Sequence, residues 1–597
     1  MLSFVVFEPD SETLSRTLRA AHLVGPDNVP IAGEITGEQG LIRCVKTTRE
    51  AAGLALQIDL AEAVSSGPDA PTSILDEGVI EILRELGASG AESPFSSGRL
   101  TLETCLLPER DEPYLLSLEL ARRRLMLFLN CLEEWQLFAL APDSPIMRLF
   151  ERARVAFTEA LVAQRVIADE ALGGYSPEAN RLAMRALVLS VLAGECLTLH
   201  DAATDFTPRI SGDVYSSTVE RLTGAPPKPR QMRPVVSQDR AGVVLPTRPA
   251  VGCSISPGVQ SESLQQVVKS SCDFITVPMR WLDMEPGEGR YAYADTDRWI
   301  EWAVRRAKMP VVAGPLIDFR ASCVPDWLYI WENDYDTLRE LVYEHVRTLV
   351  TRYRRTITRW TVVSGLHTNE NFQLSFEQMM DLTRVCVFVV RKLHPQAKVQ
   401  VEIACPWGEY HTTNRRSLPP TLYAEMLSQA GIQLDAFSLR LQTGAPATGL
   451  GARDLMSLSS LLDQYAALDK PLCVSAAGAP SAMVPPPDTL DGAPPPDPGA
   501  WWAPWNPGTQ ADWLSAALSI AATKPYVQSV CWHELGDASS RPEMPNGGLV
   551  DANGVPKPAA TRLAELRDAI HTGVAPPRLG VFRELGKQFG AAQAPTH

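Results

Sequence analysis

The sequence lacks the features that mark several large classes of protein. Its 597 residues carry a formal net charge of -15, so they lack the lysine and arginine excess with which nucleic-acid-binding proteins neutralise phosphates. No apolar run reaches the roughly 18 residues that a membrane-spanning helix needs. The start of the chain has neither a basic stretch nor a cleavage site, so we expect no secretory signal. We therefore predict a cytoplasmic protein without nucleic-acid or membrane partners.

Cysteine pairs at metal-binding or redox spacing are also missing. The chain contains 11 cysteines, an odd number, and none forms a Cys-x-x-Cys pair. Most of them, such as Cys131 and Cys386, lie in apolar surroundings and are predicted to be small buried hydrophobes. The sequence therefore predicts neither a metal nor a cofactor, and a reducing compartment fits its thiols.

Residues 1–110 predict a β-rich, sandwich-like domain. Short apolar runs alternate there with turn residues, and the clearest hairpin signal is Gly37-Glu38-Gln39-Gly40. The small number of aromatic residues in this region argues against a sugar-stacking platform, so a structural role is favoured over a carbohydrate-binding module.

Residues 111–205 predict a helical segment with three helices. The first opens at Asp111, while the other two open at Ser144-Pro145 and Ser176-Pro177. Serine at an N-cap followed by proline in the first turn is a strong start signal, because that proline removes an N–H that has no helical partner. The basic triplet Arg122–Arg124 on the first helix is predicted to be a solvated face.

Beyond a Pro- and Arg-rich linker at residues 206–248, short apolar strands alternate with amphipathic helices. Strands are predicted near residues 251–256, 273–277, 311–317, 360–363, 398–403, 434–439, 471–475 and 527–532. This alternation predicts a (β/α)8 TIM barrel over 249–572, with its chemistry where the strands end, and residues 573–597 predict a C-terminal tail. The chain is thus predicted to be multidomain.

Several motifs in the predicted barrel match those of a known family. Met279-Arg280-Trp281 is similar to a Met-Lys-Trp motif, Val324-Pro325-Asp326-Trp327 to Leu-Pro-x-Trp, and Trp360-Thr361-Val362-Val363 to Trp-x-Val-Val on a fourth strand. All three motifs are found in glycoside hydrolase family 10, the xylanase barrels, which the chain resembles over about residues 251–570. The resemblance implies an O-glycosyl hydrolase barrel of polysaccharide metabolism with a carbohydrate partner.

The two carboxylates that carry hydrolysis in that family are replaced. Gly365 stands where the family has its general acid/base glutamate, and Ala476 stands where the family has its nucleophile. Retaining hydrolysis needs both carboxylates, one to attack the anomeric carbon and one to protonate the leaving oxygen. The resemblance therefore implies a carbohydrate-binding pseudoenzyme instead of an active endo-1,4-beta-xylanase.

Two alternatives stay open at this point. The first is an active glycosidase with relocated carboxylates, for which Asp318 and Glu402 are the candidates. Since an acid in an apolar strand must be paired or functional, the competing prediction is that they form ion pairs with Arg280, Arg320 and Arg440. The second alternative is a structural or assembly protein whose N-terminal regions make the contacts.

The remaining candidates are ligand-binding residues predicted at the mouth of the barrel. They are Arg280, Trp281, Arg320, His367, Arg440, Trp532 and His533 at strand ends, and Trp501 and Trp502 in the loop after strand seven. Trp532 matches a family position under the sugar and is the best single candidate, because aromatic faces stack on sugar rings. Trp501 and Trp502 are expected either to form a platform over the mouth or to anchor their loop. The spacing of His367, Glu402 and His533 does not support a metal site.

Overall fold

The fold was analysed in a computed structural model of the chain. It describes residues 1–7, 20–38, 40–60, 77–85, 98–164, 175–211, 248–468, 470–484, 497–538 and 544–573. Most of the predicted linker and nearly all of the predicted tail lie outside the described residues.

The N-terminal region is rich in strands, as predicted. Its described strands are β1 (Leu2–Val5), β2 (His22–Val24), β3 (Pro30–Ile31), β4 (Gly33–Glu38), β5 (Leu41–Lys46), β6 (Gly53–Asp59), β7 (Arg99–Glu103) and β8 (Tyr114–Leu115). They form two sheets, with the orders β4-β5-β1-β8 and β3-β2-β6-β7. The predicted hairpin is confirmed, since β4 and β5 pair antiparallel up to Glu38 and Leu41. A helix, α1 (Glu77–Glu85), also lies here, where only strands were predicted.

Three longer helices follow, namely α2 (Leu116–Glu134), α3 (Pro145–Ala163) and α4 (Pro177–Ser211). Both serine start signals are confirmed, because Ser144 accepts a hydrogen bond from the Met147 N–H at 3.4 Å and Ser176 accepts one from the Ala179 N–H at 3.1 Å. Helix α2 begins five residues later than predicted. The residues just before it form β8, which pairs with β1 instead of adding a helical turn.

The C-terminal region contains strands and helices in alternation. The strands are β9 (Ala250–Ser254), β10 (Phe274–Val277), β11 (Val311–Ala313), β12 (Ile317–Asp318), β13 (Arg359–Ser364), β14 (Lys398–Ile403), β15 (Ala436–Gln442), β16 (Leu472–Gly478) and β17 (Val527–Trp532). The helices are α5 (Glu262–Ser271), α6 (Trp281–Met284), α7 (Ala294–Glu301), α8 (Tyr335–Tyr353), α9 (Phe376–Leu393), α10 (Pro420–Gln429), α11 (Leu455–Ala466), α12 (Pro507–Thr523) and α13 (Pro558–Thr572). Short 3₁₀ turns occur at Pro26–Asn28, Asp326–Trp331, Leu366–Thr368 and Glu409–Thr412, and a π-helical turn occurs at Trp302–Ala307.

These strands close into a parallel (β/α)8 barrel. The hydrogen-bonded order is β11-β10-β9-β17-β16-β15-β14-β13-β12, and β11 also pairs with β13, so β11 and β12 together form one interrupted third strand. Each of the eight predicted strand positions is confirmed. Because all the strands are parallel, their carboxyl ends meet at one face, where a TIM barrel places its site.

Helix α4 joins the N-terminal region to the barrel. Its stretch Pro177–Ile210 is long and apolar enough to cross a membrane, but 78% of its most apolar window is buried within the protein. A Cβ built at Gly194 would lie 3.2 Å from the Sδ of Met456 on α11, so the two helices approach closely. Arg209 near the end of α4 donates to the Val527 carbonyl of β17 at 3.2 Å. The helix is therefore packed as a core element between the two regions.

The basic triplet on α2 also contributes to this interface. Arg124 is only 4% exposed and pairs with Asp454, the N-cap residue of α11. The prediction of a solvated face is therefore wrong for Arg124, because α2 packs against a barrel helix that the local sequence does not reveal. The neighbouring Arg122 pairs with Glu119 of the same helix, and Arg123 pairs with Glu103 of β7.

We predict that Arg124→Ala lowers the free energy of unfolding of the protein. Removing one partner of a buried ion pair leaves the other charge, here Asp454, uncompensated, which costs about 3–5 kcal/mol. Urea unfolding followed by tryptophan fluorescence should show an earlier transition. Arg154→Ala is the matched control, because its ion pair with Glu151 is exposed, and it should leave the transition in place. Equal shifts for the two variants would contradict a stabilising role for the buried pair.

Candidate functional site

The mouth of the barrel leads into a cavity of about 690 Å³. Every barrel strand contributes to its wall, and the wall residues include Ser254, Thr276, Val312, Asp318, Thr361, Gln400, Glu402, Arg440, Ser475, Ala476, Ser529 and Cys531. Arg280, His533 and Glu534 line it from the loops that follow their strands. Five of the predicted binding or catalytic residues thus share one cavity: Arg280, Asp318, Glu402, Arg440 and His533.

Glu402 is the most heavily bonded group in the cavity wall. Its Oε1 accepts from the Nη2 of Arg440 at 2.9 Å and from the Oγ of Ser364 at 2.7 Å. Ser475 on β16 donates to Oε2. A register irregularity between Thr361 and Val363 allows both Thr361 and Ser364 to face inward, although residues three apart face opposite sides of a regular strand. The carboxylate therefore ties β13, β14, β15 and β16 together.

These contacts also determine the protonation of Glu402. Burial alone would raise its pKa, but Arg440 and the two serine hydroxyls outweigh burial and hold the pKa below the ordinary glutamate value of 4.5. A general acid needs a pKa near the working pH so that it holds a proton to give. Glu402 is thus ionised at neutral pH and accepts hydrogen bonds on both oxygens, and Arg440 is confirmed as its arginine partner.

Asp318 and Arg320 form a second ion pair, as predicted, beside Gly365. The Nε of Arg320 lies 3.0 Å from Oδ1 of Asp318, and its backbone N–H donates to the same oxygen at 3.0 Å. Gly365 has φ +65°, and a Cβ at that position would lie 3.2 Å from both Asp318 Oδ1 and Arg320 Cγ. The space into which a side chain at residue 365 would project is therefore occupied by this pair.

On the opposite side of the mouth, His533 and Glu534 follow β17. The amide of Gln442 donates to His533 Nδ1 at 2.8 Å, which leaves the proton on Nε2, 3.6 Å from Glu534 Oε2. The Oγ of Ser256 donates to Glu534 Oε1 at 3.1 Å. Ala476, which pairs in register with Arg440, also lines this cavity. The site is a polar wall of donors and acceptors.

Arg280 lines the cavity but does not pair with Asp318 or Glu402 as predicted. Its Nε lies 2.6 Å from Oδ2 of Asp283 instead. That part of the prediction is wrong, because a partner three residues away on the same short turn is reached without crossing the barrel. Arg280 therefore lies at the rim of the cavity, above the two buried pairs.

Two other candidates are part of the packed interior. His367 donates from Nε2 to the Ala404 carbonyl at 2.8 Å and stacks on Tyr423, and burial lowers its pKa to about 4. Trp281 is 2% exposed, donates to Glu285 and stacks on His345. Neither residue is in the cavity wall.

The tryptophans proposed for sugar stacking are also directed elsewhere. Trp532 has no exposed surface, and its Nε1 donates to the Gly547 carbonyl at 2.9 Å. Trp501 donates to Glu195 of α4 at 3.3 Å, and Trp502 packs against Gly98 before β7. Trp501 and Trp502 therefore anchor their loop to the N-terminal region. Tertiary packing decides this orientation, which the sequence of the loop does not encode.

Several polar wall residues were missed in the sequence. Thr361, Gln400, Ser475 and Ser529 were read only as parts of apolar strands. Their signal is a small polar residue at an inward position of a strand that is otherwise apolar. Among the residues that the structure describes, no three histidine, cysteine or acidic side chains converge as a metal site would require.

The fold and its mouth cavity define a TIM-barrel protein of the kind that places a ligand at the strand ends. Residues 246–385 match the model of glycosyl hydrolase family 10. Over 127 residues the chain is 24% identical to endo-1,4-beta-xylanase 3 of Hypocrea jecorina. This alignment covers 21% of this chain and 35% of that protein. This segment is thus similar both to the family model and to a xylanase, and the chain spans only about a third of the length of the curated relatives it matches.

Solved xylanases are similar to the chain over about half of its length. Xylanase 10B from Thermotoga maritima has a TM-score of 0.41 and 15% identity, covering 54% of this chain and 97% of that one. Xylanase 10B from Thermotoga petrophila RKU-1, solved with xylobiose, has a TM-score of 0.40 and 14% identity, covering 55% and 95%.

We predict that Glu402→Ala destabilises the protein. The substitution removes the buried carboxylate that Arg440 contacts, and breaking a buried ion pair costs about 3–5 kcal/mol. Glu344→Ala, which breaks the exposed pair with Arg347, is the control and should cost less than about 1 kcal/mol. Thermal melts measure both. An unchanged melt for Glu402→Ala, together with the loss of a measurable hydrolysis, would instead identify Glu402 as a catalytic acid.

We also predict that Gly365→Ala costs more stability than Gly431→Ala. Both glycines have positive φ, +65° and +68°, so alanine pays about 1–2 kcal/mol at each for its backbone conformation. Only Gly365 has neighbours in the way, since nothing lies within 4 Å of a Cβ at Gly431. The difference between the two melting temperatures therefore measures how firmly the Asp318–Arg320 pair holds its place. Equal losses would show that the pair moves aside freely.

Proposed function

We propose that this barrel is a carbohydrate-binding relative of the family 10 xylanases that does not hydrolyse by the family's retaining route. The observation that carries the proposal is the space at Gly365. It lies inside the segment that matches the family, and the direction of its absent side chain is filled by the Asp318–Arg320 pair. A site that had lost a carboxylate by a single recent substitution would be expected to keep that space open.

The second catalytic position supports the same proposal. Ala476 lies in the last part of the seventh barrel strand, lines the cavity and carries only a methyl group. The alternative with relocated carboxylates finds less support, because Asp318 and Glu402 are each held by an arginine. Retaining and inverting mechanisms both need one carboxyl group that carries a proton and one that is free to act on the sugar or on water.

The cavity wall retains groups that suit a sugar. Sugar hydroxyls both donate and accept hydrogen bonds, and the wall offers the imidazole of His533, the carboxylate of Glu534 and the guanidinium of Arg280. Phe274 and His533 are the aromatic side chains among the described wall residues, so we expect hydrogen bonding to dominate over stacking. A cytoplasmic location remains a prediction.

We predict binding without turnover. Isothermal titration of the full chain with xylotetraose, cellotetraose and mannotetraose should show binding of at least one, while an assay for released reducing ends on xylan stays at background. Xylan turnover at ordinary xylanase rates would refute the non-hydrolysing part of the proposal. The absence of binding to all three sugars would refute the binding part.

Two histidine-to-alanine variants, at His533 and His571, test whether the sugar binds in this cavity. His533→Ala removes a hydrogen-bonding group from the cavity. It should lower the affinity for the tetraose about tenfold or more, since one hydrogen bond to a buried group is worth about 1–3 kcal/mol. His571→Ala is the control, because His571 also lies beside a carboxylate, that of Asp273, but is on the exposed surface of α13. Equal affinities for the two variants would place the sugar elsewhere.

A further inference from the structure

The barrel is hollow along its axis. Its cavity reaches from the mouth down to residues near the starts of the strands, among them Phe274, Arg359, Gln400, Cys473 and Ser529. TIM barrels ordinarily fill this space with layers of bulky branched side chains. Here small polar residues face inward on most strands, namely Ser254, Thr276, Thr361, Ser475 and Ser529. The volume of about 690 Å³ lies within the roughly 300–1,000 Å³ of small-molecule sites.

Side chains that hydrogen-bond across the barrel close this shaft at its lower end. Arg359 begins β13, the fourth barrel strand, and its Nη1 donates to Gln400 Oε1 at 3.2 Å and also to the Sγ of Cys473. Its Nη2 donates to Gln528 Oε1 on β17, the eighth strand, at 3.2 Å. Since the fourth and eighth strands face each other in a barrel of eight, this guanidinium crosses the floor. A ligand therefore enters from the mouth and stops above Arg359.

The N-terminal region covers the loops after barrel strands five to seven. Thr101 of β7 donates to the Ala452 carbonyl in the sixth loop at 2.8 Å. Arg99 exchanges backbone hydrogen bonds with Ala500 in the seventh loop, at 2.8 and 3.0 Å. In the fifth loop, a Cβ at Gly408 would lie 3.3 Å from the Cδ of Pro30 on β3. The fifth to seventh loops are therefore packed against the N-terminal region, and the sixth and seventh are also joined to it by backbone hydrogen bonds.

The described wall of the cavity shows the same asymmetry. Loops after the first, second and eighth strands contribute to it, for example through Pro257, Asp283 and Ala538. The third strand contributes only its own residues and those of its interruption, Gly314 and Pro315. From the fourth to the seventh strands, the described wall residues all lie within the strands themselves. A second cavity of about 350 Å³ shares Ser256, Val259 and Ala538 with the first. The open space therefore continues outward between the first and eighth strands.

From this shape we propose that the site takes the end of a short oligosaccharide, inserted along the barrel axis, and not the middle of a long polysaccharide. A chain that passes across the mouth needs an exit on both sides, whereas the N-terminal region closes one side and Arg359 closes the floor. The remaining sugar units leave over the first and eighth strands. The inference rests on the proposed carbohydrate binding and adds the class of ligand to it.

The test compares a short ligand with a long one at equal mass. Xylotetraose and a soluble linear xylan of about forty units are each titrated against the full chain by competition calorimetry. Binding of chain ends predicts an apparent affinity per unit mass about tenfold lower for the polymer, because it carries proportionally fewer ends. Equal or tighter binding of the polymer per unit mass overturns end-on insertion and leaves the proposed function intact. If neither ligand binds, the comparison is repeated with cellotetraose or mannotetraose and the matching polymer, and the absence of binding to all of them overturns both the proposed function and this inference.

A shaft-filling variant tests the depth of insertion. Ser529→Leu places an isobutyl group in the lower half of the cavity and should lower the affinity for xylotetraose at least tenfold. Ser515→Leu makes the same change on the outer helix α12 and should leave the affinity unchanged. Thermal melts show whether both variants fold, and the comparison of ligands above needs no variant. Unaltered affinity in a folded Ser529→Leu protein overturns insertion along the axis.

Discussion

The buried carboxylate of Glu402 imposes the constraint on which the mouth of this barrel depends. An ionised group without partners in a protein interior is too costly to persist, so Glu402 must be surrounded by donors. Arg440, Ser364 and Ser475 supply them from three other strands, which fixes the relative positions of four consecutive barrel strands. The same bonds that stabilise the mouth remove this carboxylate from acid/base chemistry.

The N-terminal region affects the site although none of its described residues lines the cavity. Its helix α4 and the Arg124–Asp454 pair attach it to the outer helices of the barrel. Its sheet β3-β2-β6-β7 then lies against the fifth to seventh loops through Pro30, Arg99 and Thr101. These two attachments hold the region against the fifth to seventh loops of the barrel. The tryptophans of the seventh loop serve this attachment, which explains their orientation.

Local patterns in the sequence predicted the elements well. The eight barrel strands are short apolar runs with turn residues at their ends, and Ser144 and Ser176 are helix start signals whose effect is confined to one turn. The cost of buried charge predicted that Asp318 and Glu402 pair with arginines, while the choice among Arg280, Arg320 and Arg440 stayed open until the structure showed it. The prediction failed where a residue's surroundings come from distant segments, as for Arg124, Trp532 and the partner of Arg280.

The sequence by itself determined that the chain forms a (β/α)8 barrel and that Gly365 and Ala476 bring no carboxylate to its mouth, because strand periodicity and residue identity are local properties. Only the tertiary structure decided what fills the space beside Gly365, how far the cavity extends, and which side of the mouth stays open. These features depend on side chains such as Arg320 and Arg359 and on contacts between segments hundreds of residues apart. Such contacts are fixed by packing in three dimensions, which no local pattern records.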